Sequence, residues 1–128
     1  MTTFFFDNNL SPHFAQMLQA LGVDVRALRD EFPRDTDDTA WIPEIGRRGW
    51  VLVTYDRGIA TRPAEARALK DNYVTAVILG RFWRTLRRWD QAVWLITNWP
   101  RIEAFVAQNP QGTVAEISQR GRARYIAI

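Results

Sequence analysis

The chain has 128 residues, 47% of them apolar and including seven Phe, six Trp and three Tyr, which is too hydrophobic for a disordered segment and suits one domain with one core. It has no cysteine and a single histidine, His13, so disulfide scaffolds and Cys/His zinc sites are excluded and any metal must be held by oxygen. The net charge is +3, and all but one of the 17 basic residues are arginine, Lys70 being the exception. Guanidinium forks bind phosphate well, so this balance permits a nucleic-acid partner, although a genome rich in arginine codons produces the same bias.

Thr3 to Phe6 is a short apolar run that ends at Asp7-Asn8-Asn9, the pattern of a buried strand stopping at a polar edge. It lacks a basic leader and is too short for a signal peptide, and no stretch approaches the ~18 apolar residues of a membrane helix, so a cytoplasmic location is expected. Ser11-Pro12 caps and starts a helix, with Phe14, Met17, Leu18 and Leu21 at helical spacing, and Gly22 ends it. Val23 to Leu28 alternates as a second strand. Arg29 to Asp37 is a polar loop broken by Pro33, and Asp38 to Arg48 is a helix stopped by Gly49.

Trp50 to Tyr55 is the strongest strand and ends at Asp56; its unbroken apolar character is that of a strand covered on both faces. Pro63 to Asp71 is a helix and Tyr73 to Leu79 a strand. Beyond them, Leu86 to Asn98 and Arg101 to Gln108 look like two helices parted by Pro100. Thr113 to Ile128 reads as two short strands joined at Gly121. The β-α alternation over residues 1–128 predicts an α/β fold of three layers, helices on both faces of a mostly parallel sheet, with an antiparallel edge at the C-terminal end.

In such a sheet the strand C-termini and the helix N-termini share one edge. Asp7, Asp38 and Asp56 are therefore expected on one rim, with Glu65 joining them and Asp37 beside Asp38. Crowded carboxylates repel, and a divalent cation relieves them. With oxygen ligands alone, that cation is Mg²⁺ or Mn²⁺, which can activate water for displacement at phosphorus. Singly, Asp38 and Glu65 could also be ordinary helix-start acids.

The stretches Phe4-Phe5-Phe6-Asp7-Asn8-Asn9-Leu10-Ser11-Pro12, Asp38-Thr39-Ala40-Trp41, Trp50-Val51-Leu52-Val53-Thr54-Tyr55-Asp56 and Arg62-Pro63-Ala64-Glu65 resemble the PIN-like domains of VapC-type toxins, over about two-thirds of the chain. The longer mid-chain helical insert of typical PIN toxins is missing, which points to a compact branch. The resemblance implies a Mg²⁺- or Mn²⁺-dependent endoribonuclease acting on RNA and neutralised by a cognate antitoxin, and it leaves a homodimer open. It puts the catalytic acids at Asp7, Asp38, Asp56 and Glu65, the first three as metal ligands. Asn8, Arg57 and Arg62 are the expected RNA contacts.

Three other features bear on function. Arg81 to Trp89 interleaves arginine with aromatic residues, as an RNA-stacking or antitoxin-docking surface would, though a helix with Trp in the core and Arg in water reads the same. His13, near the rim but without an evident partner, is expected at the surface. A receiver-like phosphoacceptor domain also gathers acids around Mg²⁺, but it needs a lysine at the acidic rim, and Lys70 is expected at the opposite one. A non-catalytic PIN-like binding module is the other alternative.

Overall fold

The computed structural model describes residues 1–128. Strands β1 (Phe4–Phe6), β2 (Val25–Ala27), β3 (Val51–Thr54), β4 (Ala76–Leu79), β5 (Val114–Ile117) and β6 (Ala123–Tyr125) form one sheet in the order β2-β1-β3-β4-β5-β6. The first five are parallel and β6 runs antiparallel to β5, so the expected antiparallel edge is present. Helices are α1 (Pro12–Ala20), α2 (Leu28–Glu31), α3 (Asp38–Arg48), α4 (Pro63–Asp71) and α5 (Arg88–Gln108).

Why the central strands are apolar throughout follows from their period of two. Phe4, Phe6, Val51, Val53, Val77 and Leu79 face one core with Phe14 and Leu18 of α1 and Trp94, Leu95, Trp99 and Ile102 of α5. Phe5, Leu52, Ala76 and Ile78 face the other, with Trp41, Ile42 and Ile45 of α3 and Leu69 of α4. Each strand is thus the middle layer of three. Aromatic pairs tie the layers together: Phe4 meets Trp99 edge-on at 4.8 Å, and Phe5 lies 5.2 Å from Trp41.

Two departures from the sequence reading have physical reasons. Pro100 does not divide the C-terminal helical region: α5 is continuous across it. Trp94, Leu95, Asn98 and Trp99 before the proline and Ile102 and Phe105 after it are buried on the same sheet face, while Pro100 itself faces outward. Burial on both sides outweighs one lost hydrogen bond. Within the expected loop 29–37, residues up to Glu31 belong to the short helix α2; Glu31 is held there by Arg26 and Arg48.

The Arg81 to Trp89 stretch divides. Trp83 is core, packed edge-on against Phe14 and Trp94 at 5.6 and 6.2 Å, whereas Trp89 is exposed and continues into exposed Val93 and Ile96 along α5.

Gly46 shows how closely α3 approaches the end of α4. A Cβ there would lie 2.7 Å from the Asn72 carbonyl oxygen and 3.1 Å from Val74 Cγ2. Gly46→Ala, worth about 1 kcal/mol of stabilisation in an open helix, is expected here to destabilise the protein by roughly 1–2 kcal/mol through overpacking. Urea denaturation measures this, and a stabilised variant would mean that the two segments can separate freely.

Candidate functional site

At the carboxyl edge of the sheet, four acids arrive from four separate segments. Asp7 follows β1, Asp56 follows β3, Asp38 opens α3, and Glu65 lies in the first turn of α4. Asp38 and Asp56 are near enough for their charges to act on Asp7, and Asp56 and Glu65 act in the same way on Asp38. Asp37 is exposed and makes no side-chain cap, so the neighbour turned toward this cluster is Asp38. Its Oδ1 accepts from Trp41 Nε1 at 3.1 Å, which fixes its rotamer.

The positive charge in the cluster is Arg62. Its guanidinium reaches Asp56 Oδ2 at 2.7 Å and Asp38 Oδ2 at 3.4 Å, and its Nε donates to Glu65 Oε2. Gly58 makes room for it, since a Cβ at that position would run into Arg62 Nη1. Asp56 also caps the 3₁₀ turn Arg57–Ala60, accepting from Gly58 N at 3.0 Å. One arginine thereby ties together three carboxylates that are far apart in sequence.

Asp7 has no cationic partner. It is buried, and burial pushes its carboxyl up to about 7, with the nearby charges of Asp38 and Asp56 adding to the rise against hydrogen bonds from Thr54 and the Asn9 amide. Thr54 Oγ1 lies 2.6 Å from Asp7 Oδ2 and 2.7 Å from Asn9 Oδ1, and it accepts from Asp56 N at 2.9 Å. A hydroxyl has one hydrogen to give. It goes to Asp7 when that carboxyl is ionised, which is the bond that opposes the rise, and to Asn9 when Asp7 is protonated and itself donates to Thr54. Asp38 is also shifted upward, chiefly by burial, while Trp41 and Arg62 oppose the shift.

Asn9 and Thr54 were missed in the sequence. Asn9 stands two residues after Asp7 and Thr54 two before Asp56; Asn9 N donates to Asp7 Oδ1 at 3.3 Å and Asp56 N to Thr54 Oγ1, the side-chain turns that Asp and Thr favour just after a strand, and that residue chemistry is the only local signal for them. Asn9 Oδ1 also accepts from Tyr55 N at 3.1 Å, which ties the ends of β1 and β3 together. Asn8 is exposed and lines a depression of about 530 Å³ with Arg29 and Arg34. Arg57 pairs with Glu116 of β5 at 3.3 Å, and His13 is exposed. Lys70 lies at the opposite edge, lining a depression with Gly112 and Thr113 just before β5, so no lysine serves the acids.

As donors, these carboxylates suit a hard divalent cation in kind: oxygen only, with one buried acid that no cation neutralises. In the arrangement the side chains adopt, however, no three of them come together as a metal-ligating group. Arg62 has drawn Asp38, Asp56 and Glu65 to itself.

A family model described as a PIN like domain matches residues 2–81, more than half of the chain, and the protein belongs to that family. The match takes in β1 to β4 and all four acids. No curated protein and no solved structure matches the chain. No helix is long and apolar enough to cross a membrane.

Asp7 makes stability depend on pH. Below its ordinary value of 3.8 the carboxyl is protonated in both folded and unfolded chains; between there and about 7 only the folded chain keeps the proton. The native state then binds more protons, so stability falls as pH rises through that window. Thermal melts in a chelator should show this fall, and Asp7→Asn should flatten it and be the more stable form above the window. Equal slopes for the two proteins would mean that Asp7 is ionised throughout.

Proposed function

We propose that this protein is a Mg²⁺- or Mn²⁺-dependent endoribonuclease, the toxin of a VapC-type toxin–antitoxin pair, hydrolysing RNA phosphodiester bonds at the acidic edge of the sheet. The observation that carries the proposal is the arrival of Asp7, Asp38, Asp56 and Glu65 from four elements at one edge of the sheet, within the PIN-like region. Asp7, Asp38 and Asp56 would hold the cation, Asp7 giving up its proton as it does so. When bound, the cation would supply Lewis acidity and an activated water.

Glu65 would orient that water. Arg62 would pass from neutralising carboxylates to holding phosphate, with Arg57 beside it and Asn8 on the adjoining surface. The setting is cytoplasmic and the partner a cognate antitoxin.

Asp7→Asn is expected to keep the fold, to lower Mn²⁺-dependent cleavage of RNA by at least about 100-fold, and to relieve growth arrest on expression. Full activity in the variant would defeat the assignment. A second reading, a PIN-like binding module without catalysis, is favoured by the clamp of Arg62 on three of the acids. Calorimetry with Mn²⁺ separates the two: micromolar binding lost in Asp7→Asn supports the nuclease, and no binding supports the module.

A further inference from the structure

Beyond the PIN-like match, the β5–β6 turn and α5 build a cluster of arginines with no carboxylate partner. Arg101, Arg120 and Arg122, with Gly121, line a depression of about 560 Å³ that has no hydrophobic residue in its lining. Arg26, Arg47, Arg48, Arg57, Arg62 and Arg124 all pair with acids; these three are among the arginines that pair with none, and they are set apart by lining one hollow together. Three guanidinium groups around one hollow repel each other, and an anion relieves that repulsion.

The hollow is held in shape by the fold. Trp94 Nε1 of α5 donates to the Gln119 carbonyl at 2.8 Å, and the Arg101 guanidinium donates to the Arg120 carbonyl. Within the turn, Gly121 N donates to Ser118 O at 2.8 Å and Ser118 N to Arg122 O at 2.9 Å. Gly121 has φ +79°, and a Cβ there would stand 2.7 Å from Arg101 Cδ and 3.0 Å from Asn98 Oδ1. A glycine is therefore needed both for the turn and for its contact with α5. Arg101 is pinned in place, and Arg120 and Arg122 project from a stapled turn.

Its position relates it to the acids. Because β5 is parallel to β4 and β3, the turn after Ile117 emerges at the edge that carries Asp56, and the Arg57–Glu116 pair links the two places. From β3 to β5 is two strand spacings, roughly 10 Å, and the turn then leans onto α5. Arginine forks match the phosphate oxygens of such a backbone.

We propose that Arg101, Arg120 and Arg122 form a binding site for the phosphodiester backbone of the RNA, on the same edge of the sheet as the acidic centre. This deepens the nuclease reading and rests on it for the identity of the ligand. The test is fluorescence anisotropy with a labelled single-stranded RNA in a chelator, where no cleavage can occur, across roughly 50–200 mM salt.

The Arg120→Glu/Arg122→Glu double variant, altered only at exposed positions, should bind at least 10-fold more weakly than the native chain and show a salt dependence shallower by about 1.4 in log–log slope. Arg120→Lys/Arg122→Lys should lie between, and unchanged melting temperatures confirm folding. Equal RNA affinity for the native chain and the glutamate variant overturns the proposal, even if Asp7→Asn has abolished cleavage; so does a native chain that binds inorganic phosphate but not the RNA. Loss of affinity in the glutamate variant supports the site even where no metal-dependent cleavage is found, in which case the nuclease reading alone fails.

Discussion

The acidic edge of this sheet depends on how negative charge is balanced. The parallel topology delivers four carboxyl groups to one place whether or not they can be accommodated there. Two features ease the crowding: Arg62 spans Asp38, Asp56 and Glu65, and burial raises the Asp7 carboxyl to about 7, so that it ionises less readily than its neighbours. Both would have to give way for a divalent cation to bind. Gly58, Trp41, Asn9 and Thr54 then fall into place as the supports that let the guanidinium approach and hold each carboxylate in its orientation.

The layers could be read from the sequence because strand and helix periods are written plainly where cores are apolar on both sides. The helices Asp38–Arg48 and Pro63–Asp71 have the bounds that their flanking residues predict, and Gly49 adopts the left-handed conformation expected of a helix stop, φ +72°. Convergence of the acids followed from strand direction alone. Side-chain choice between neighbours did not: that Asn9 and not Asn8 turns inward depends on the course of the chain after β1. Pro100 misled because a local rule was applied where long-range burial of α5 decides.

Arginine was the least legible residue type. In the sequence, sixteen similar side chains give no sign of which are bound to acids. In the fold they separate into those that neutralise carboxylates, such as Arg57 and Arg62, and those left facing solvent, such as Arg101, Arg120 and Arg122. The same residue type thus serves as internal counter-charge at the acidic centre and as uncompensated charge at the β5–β6 turn.

The sheet order has a consequence for where the protein could be divided. The family match stops at residue 81, yet Phe4, Phe6, Val53 and Leu79 depend for their cover on Trp94, Leu95, Trp99 and Ile102, all further along the chain. Eight of the 20 residues of one hydrophobic core, and one neighbour of β4, are thus supplied by the portion outside the match. A fragment ending at that boundary would retain every acid of the cluster and lose the packing that holds the strands beneath them, so the boundary drawn by sequence similarity is no seam in the folded molecule.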